Sequence, residues 1–165
     1  MEIHRLTADE GPRLRAVRLR ALRDAPDAFG TTFEEANAWR AETWTSQLEK
    51  LATFVAARDG MDIGLARGAP HDDVEDAAIL LSMWVAPEAR GQGVGDALVG
   101  AVAAWARAQG FRQLLLDVAD TNARAIAFYA RLGFFPTGAV STLPPPREHI
   151  LEHQRALDLS RRGTR

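Results

Sequence analysis

The chain has 165 residues, 47% of them hydrophobic and 25% charged, with a formal net charge of −2. That length fits one domain with a core of its own, and the composition excludes disorder, collagen-like repeats and a general affinity for nucleic acid. There is no cysteine, which removes disulfides, thiolate zinc sites and cysteine-nucleophile chemistry together. Of 20 basic residues all but Lys50 are arginine, a skew that, with the abundant Ala, reads as a GC-rich bacterial background. The opening residues Met1-Glu2-Ile3-His4-Arg5 lack the apolar stretch of a secretory leader. The longest nearly uncharged apolar run, Ala77 to Pro87, is too short to span a bilayer. The expectation is a cytoplasmic protein, with neither membrane nor nucleic acid as a partner.

Glu2 to Leu6 alternates weakly and reads as a first strand. Thr7-Ala8-Asp9-Glu10 has the capping-box spacing that satisfies the first free amides of a helix. Leu14, Val17, Ala21 and Leu22 then recur at helical spacing, and Asp24-Ala25-Pro26-Asp27 ends the run. A second helix is predicted from about Phe33 to Lys50, with Phe33, Ala36, Trp44 and Leu48 inward. Thr53–Arg58 and Asp62–Arg67 are two strands joined at Asp59-Gly60, a hairpin signal. Gly68 to Asp76 is a polar, acidic loop. Ala77–Val85 is apolar on both faces and therefore a central strand. Gly93–Gln109 is a helix with Leu98, Val102 and Trp105 on one stripe, stopped by Gly110. Gln113–Val118 is another buried strand, Thr121–Leu132 a helix closed by Gly133, and Phe134 onward is extended until Pro144-Pro145-Pro146. Ile150–Leu159 is the last strand. Strands and helices mixed in this order imply an α/β sheet with helices on both faces.

The chemistry-bearing stretch is Val85-Ala86-Pro87-Glu88-Ala89-Arg90-Gly91-Gln92-Gly93-Val94-Gly95-Asp96-Ala97-Leu98. A buried strand ends, a glycine-rich turn follows and a helix begins. Such a turn lets backbone N–H groups approach a phosphate, and the helix N-terminus favours an anion. The plainer alternative is a tight turn with no ligand. The Walker A string is absent, and neither pair of alternate glycines places the third small residue of a dinucleotide fingerprint, so ATP and NAD fail on spacing.

Arg90-Gly91-Gln92-Gly93-Val94-Gly95 resembles the Q/R-x-x-G-x-G/A motif of the GNAT superfamily of acetyl-CoA-dependent N-acetyltransferases. Leu116-Asp117-Val118, Asn122, Ala125, Phe128-Tyr129 and Gly133-Phe134 resemble that family's L-x-V…N-x-x-A-x-x-F/L-Y-x-x-x-G-F segment. The two motifs stand in the family's order and span Ile79 to Phe134. The resemblance implies an α/β (α+β) fold: a mixed, mostly antiparallel central sheet of about seven strands flanked by about four helices, with two splayed parallel strands in the middle. It implies one domain over residues 1–160, with 161–165 as a basic tail.

The resemblance also assigns roles. The amides of Gly91, Gln92, Gly93, Val94, Gly95 and Asp96 would hold the pyrophosphate of acetyl-CoA. The strand edge at Met83, Trp84 and Val85 would pair with pantetheine beside a family bulge. Asn122, with Ala125 and Phe128, would contact the pantetheine or adenylate arm. Arg90 or Arg124 would meet phosphates, lysine being absent near those loops. Tyr129 would be the general acid for the leaving thiolate. An ordinary phenol titrates at about 10, so it is protonated at neutral pH and able to give that proton. Backbone N–H near Val85 would polarise the thioester carbonyl.

The base is less marked. Counting back along one face from Val85 gives Met83, Leu81 and Ile79, all apolar. Asp117 stands where a subgroup acting on ribosomal-protein N-termini carries its acid; the alternative is a strand-end aspartate capping the next helix. Phe33, Glu34 and Glu35 lie in the region lining the family's acceptor groove, although a solvated helix face explains the two glutamates better. A chain of waters with no dedicated base is the remaining choice. Asp72, Asp73, Glu75 and Asp76 make either a solvated loop or an attractor for a cationic amine.

His149-Ile150-Leu151-Glu152-His153 matches a zinc-peptidase pattern by letter, but it follows three prolines, reads as a strand and has no third ligand, so no metal is expected; His149 and His153 would instead line the acceptor site. Leu143-Pro144-Pro145-Pro146-Arg147 resembles a polyproline ligand and reads more simply as a stiff loop.

The combined expectation is transfer of an acetyl group from acetyl-CoA to a primary amine, with a small molecule favoured over a protein N-terminus. The rival is a non-catalytic acyl-CoA-binding sensor or partner module. A homodimer agrees with the family's habit, but no interface is marked in the residues. Without cysteine no cysteinyl acyl-enzyme can form, which favours direct transfer, and Lys50 is the single lysine open to self-acetylation.

Overall fold

The computed structural model describes residues 1–160; the expected basic tail at 161–165 lies outside the described residues. Seven strands run in the order β1-β2-β3-β4-β5-β7-β6. They are β1 (Glu2–Arg5), β2 (Ala52–Arg58), β3 (Met61–Pro70), β4 (Ala77–Val85), β5 (Gln113–Ala119), β6 (Phe135–Thr142) and β7 (Leu151–Asp158). The α-helices among the described residues are α1 (Gly11–Asp24), α2 (Phe33–Asn37), α3 (Ala41–Lys50), α4 (Val94–Ala108) and α5 (Ala123–Arg131). The mixed α/β class and the mostly antiparallel sheet are therefore as expected. Five helices replace about four, because the predicted helix from Phe33 to Lys50 is two.

The break has a local cause. The Thr32 side chain accepts from the Glu35 amide at 3.2 Å, and the Glu35 carboxylate accepts from the Thr32 amide at 2.9 Å, so a capping box opens α2. The short helix reaches Asn37, a weak helix former. Trp39 then leaves the helical path and packs edge-on against Trp44 of α3, ring centroids 4.9 Å apart. Glu35 is thus a capping residue in this fold.

Contacts divide the chain into two compact units. The first holds Met1–Ala69 and Leu80–Trp105. Its β1–β2 and β2–β3 pairs are antiparallel, and Asp59 (φ 51°) and Gly60 (φ 75°) turn the β2–β3 hairpin in the left-handed region, as the Asp-Gly signal requires. Leu14, Val17, Ala21 and Leu22 of α1 are buried, as are Trp44, Leu48, Val55, Leu65, Leu98 and Val102. Gly64 permits a close approach of β3 to α4: a Cβ there would stand 2.7 Å from Leu98 Cδ1 and 3.1 Å from the Trp84 carbonyl oxygen.

The second unit holds Pro70–Ile79 and the chain from Ala106 onward. Its parallel ladder pairs Ala77–Ile79 with Gln113–Leu115. β5 and β7 pair antiparallel over their lengths, and β7 pairs with β6. Ala77, Leu115 and Ala156 form one buried cluster and Ala119, Leu143 and Ile150 another. Burial of Leu143 supports the reading of the proline run as a stiff loop. His149 lies in an exposed turn before β7 begins, so the expected His-x-x-Glu-His strand is corrected: only its later residues belong to β7. The reason is local, since the Ile150 amide bonds back to the Arg147 carbonyl at 3.0 Å and closes a turn there.

Candidate functional site

In the first unit, β4 ends at Val85, a single 3-10 turn covers Pro87–Ala89, and α4 starts at Val94. Gly91 (φ 73°) and Gly93 (φ 81°) both lie in the left-handed region, and nothing stands within 4 Å of a Cβ built on either. The glycines are therefore demanded by backbone conformation, with open space beside them. The turn leads straight into the first turn of a 15-residue helix, which includes Gly95 and Asp96. Backbone amides and the helix end make this a phosphate-type cradle.

Side chains brace the loop from behind. The Gln92 amide nitrogen donates to the Glu88 carbonyl at 3.0 Å, and Arg58 Nη1 donates to Gln92 Oε1 at 2.7 Å. Arg90 donates from Nε to the Val85 carbonyl at 3.0 Å and pairs through Nη2 with the Asp24 carboxylate. Trp84 Nε1 donates to the same carboxylate at 2.9 Å. Without a ligand, the Arg90 guanidinium, expected alongside Arg124 as a candidate for a phosphate, is paired with an acid at the end of α1. Trp84 likewise turns a buried indole to Asp24, leaving only its backbone for a ligand.

β4 is not regular. Ser82 has φ 55°, left-handed for a β-carbon residue, just before Met83, Trp84 and Val85. Its hydroxyl accepts from Arg67 Nε at 3.0 Å and from Arg67 Nη2 at 2.8 Å. Arg67 also donates from Nη1 to Gln47 Oε1 at 2.8 Å. Arg18, on α1, lies over the Phe29 ring at 4.7 Å. Sequence reasoning passed over Arg18, Arg67 and Ser82; only the apolar periodicity around Arg18 and Arg67, which puts each on a buried face, signals that these charges turn inward.

The second unit carries the other motif. Asn122 Oδ1 accepts from the Ala125 amide at 3.1 Å and caps α5. Asn122 therefore fills the capping role considered for Asp117. Arg124 is exposed on α5, and Phe128 is half-buried with the Tyr129 ring 5.1 Å away. Tyr129 is 8% exposed and stacks edge-on to Phe134 at 5.6 Å. Burial drives its phenol above the ordinary value, so it is protonated across the neutral range. Asp117 stands on β5 opposite Gln154. Desolvation raises its carboxyl, against a lowering by His71. Glu152 on β7 is raised by burial and then by the Asp117 charge.

Of the acceptor-side residues, Phe33 is half-buried beneath the Arg23 guanidinium, 4.6 Å from its ring centroid, and Glu34 is exposed. Asp72, Asp73, Glu75 and Asp76 are exposed in a loop whose Asp73 and Val74 amides both bond to His71 Nδ1 at 3.1 Å. Among the described residues, no group of three or more His, Asp or Glu side chains is arranged to hold a metal ion, and no helix is long and apolar enough to cross a membrane.

Known proteins carry the same pattern. Residues 18–134 match the model of the acetyltransferase (GNAT) family. Mycothiol acetyltransferase of Thermobispora bispora is 32% identical over 123 residues, covering 72% of this chain and 41% of that protein. Aminoglycoside N(6')-acetyltransferase type 1 of Salmonella typhimurium is 32% identical over 100 residues, covering 57% of this chain and 69% of that protein. The chain thus spans only about two fifths of the mycothiol relative. A ribosomal-protein-alanine N-acetyltransferase from Brucella melitensis superposes with a TM-score of 0.77 at 22% identity, covering 96% of this chain and 99% of that one. A Salmonella typhimurium chain solved with its cofactor acetyl-CoA superposes at 0.77 and 17% identity, covering 100% and 97%. Both likenesses are of fold. With the family model matching more than half of its length, the chain belongs to the GNAT acetyltransferase family.

Proposed function

We propose that this protein moves an acetyl group from acetyl-CoA to the primary amine of a small molecule by direct transfer. The observation that carries the reading is the β4–α4 turn, where Gly91 and Gly93 hold left-handed φ with open space on the Cβ side. That turn suits a pyrophosphate, which needs close approach to several amides. Acetyl-CoA supplies an activated acyl group and a thiol leaving group. The chain's amides from Gly91 to Asp96 bind the pyrophosphate, and the Met83–Val85 edge orients the pantetheine arm.

Acyl transfer forms a nitrogen–carbon bond, breaks a carbon–sulfur bond, removes a proton from nitrogen and delivers one to sulfur. Tyr129 is the donor to sulfur: its phenol is held protonated by burial. Asp117 is the favoured acceptor of the amine proton, because its amine-capturing form is the carboxylate and the helix cap belongs to Asn122. The chain has no cysteine, so no cysteinyl acyl-enzyme intervenes. Small-molecule acceptors are favoured over protein N-termini because the relatives above 30% identity named here act on mycothiol and aminoglycosides.

Release of free thiol from acetyl-CoA, followed against a panel of amino acids, polyamines, aminoglycosides and N-terminal peptides, tests the proposal. Amine-dependent release with a small molecule is the expected result. Binding of acetyl-CoA with no release for any amine returns the sensor reading, and release with peptides alone returns the N-terminal one.

A further inference from the structure

β4 breaks its own strand geometry at one residue. Ser82 has φ 55° inside Ala77–Val85, a left-handed setting that is costly for a residue with a Cβ. The parallel ladder takes up Ala77–Ile79. Ser82 stands past it and directly before Met83–Val85, the edge assigned to pantetheine. A backbone set against its own preference at such a place needs something that holds it.

The hold is a line of hydrogen bonds across three elements of the first unit. Arg67 of β3 donates to Ser82 Oγ from Nε at 3.0 Å and from Nη2 at 2.8 Å, and its Nη1 donates to Gln47 Oε1 of α3 at 2.8 Å. Two donors of one rigid fork thus meet on a single hydroxyl, while a third is anchored on a helix. Oγ is one bond from Cβ, so a return of Ser82 to extended φ would carry it off both donors. Arg67 is 6% exposed, so those donors would be left buried without partners. Losing two bonds from a charged group outweighs the left-handed penalty. The arrangement does little for stability. No ion pair among the described residues reaches Arg67. Burial and the Arg18 charge pull its guanidinium down to about 9, still cationic at neutral pH. An apolar side chain of similar length would fill the same space at less cost, so what accounts for the charge is its hold on β4.

We propose that Arg67 is a positioning residue for the acyl donor: braced by Gln47, it holds Ser82 left-handed and so sets the Met83–Val85 backbone in the form that pantetheine meets. The inference rests on the acetyl-CoA reading above and on its assignment of that edge. Donor binding then has two separable parts. The pyrophosphate cradle has left-handed residues of its own at Gly91 and Gly93 and stands without Arg67, whereas the pantetheine edge does not.

The test is calorimetric titration of the full chain with CoA and with its phosphorylated adenosine diphosphate fragment, which keeps the pyrophosphate and lacks the pantetheine arm. The ratio of the two affinities is the pantetheine increment. In Arg67→Met, which keeps a long apolar stem, the increment should fall about 5–30-fold, because binding must now restore the left-handed residue itself. Affinity for the fragment should be unchanged, and the melting temperature should hold or rise. Ser82→Gly should do the reverse. Glycine takes positive φ about as readily as negative, so the increment falls at most about twofold, while the melting temperature drops because the Arg67 donors lose their oxygen. Ser82→Ala, with a Cβ and no hydroxyl, should lose both. An unchanged increment in Arg67→Met overturns the inference, and so does an equal loss of CoA and fragment affinity, which a purely structural arginine would give. Should Arg67→Met not fold, Ser82→Gly and Ser82→Ala decide between them: equal increments in the two overturn it. An unaltered chain that binds CoA no more tightly than the fragment removes the pantetheine edge and the inference with it, and one that binds neither removes the acetyl-CoA reading.

Discussion

Replacing Gly93 by alanine isolates what the cradle asks of its backbone. Gly93 sits at φ 81° with nothing within 4 Å of a Cβ, so the substitution introduces no clash. What remains is the penalty of an L-residue in the left-handed region, ~1–2 kcal/mol. That penalty has two places to appear. If the loop keeps its conformation without ligand, thermal stability falls by about 2–8 °C, at ~2–4 °C per kcal/mol for a chain of this size. If the loop relaxes, the amides turn away and binding must restore them, so the CoA dissociation constant rises about 5–30-fold. Gly60 is the matched control: it stands at φ 75° in the β2–β3 hairpin, also with nothing within 4 Å. Gly60→Ala carries the same backbone penalty and should lower the melting temperature with CoA affinity unchanged. Titration calorimetry with CoA and a thermal melt on both variants give the answer. Gly93→Ala with wild-type affinity and wild-type stability refutes the argument, as does an equal loss of affinity in Gly60→Ala.

Gly64→Ala acts through packing instead: its Cβ would meet Leu98 Cδ1 at 2.7 Å and the Trp84 carbonyl at 3.1 Å, so a stability loss of ~1–3 kcal/mol is expected, and an unchanged melt would deny that β3 and α4 pack this closely. Tyr129→Phe removes the proposed proton donor while keeping the ring that packs on Phe134; kcat should fall about 10²–10⁴-fold with CoA affinity retained, and undiminished kcat takes Tyr129 out of the acid role. Asp117 serves as base only when ionised, and burial raises its carboxyl. Activity should therefore fall as pH drops through a value above the ordinary carboxylate of about 3.9, and Asp117→Asn should remove that limb; a pH–rate profile that does not change excludes Asp117. The same carboxyl holds its proton more tightly folded than unfolded, so its ionisation opposes folding in full above the raised value, and that cost fades as pH falls from there to the ordinary carboxylate value. Asp117→Asn should consequently not lower stability at pH 7, and it should bring Glu152 down toward its ordinary value by removing the repelling charge, which carboxyl-resolved NMR titration reads directly.

The parts of the fold that were legible in the residues are those set by short-range rules. Asp59-Gly60 names a hairpin because two successive left-handed residues suit few other pairs. Ala77–Val85 names a central strand because apolar residues on both faces need cover on both. The single long helix predicted between Phe33 and Lys50 failed because its inward residues keep helical spacing across the break. What divides α2 from α3 is the Thr32–Glu35 box and the Trp39–Trp44 contact, and neither interrupts the periodicity. His149 was misplaced for a similar reason: a turn closed by main-chain bonds leaves no mark on a string read for alternation.

The site divides along the same line. The cradle was legible because its demands fall on the backbone, and backbone demands at left-handed positions select glycine by name. Side-chain tethers were not. Arg90 is tethered to Asp24, 66 positions away, and nothing in the string announces that pair. Arg18 and Arg67 look like two more surface cations in a chain whose basic residues are nearly all arginine, and both are buried. The distinction has a functional consequence. A pyrophosphate can be held by backbone amides, which make few demands on the side chains beside them. Selectivity for an acceptor rests on side chains, through charge or through shape, and tethered side chains are what a string of letters places least well.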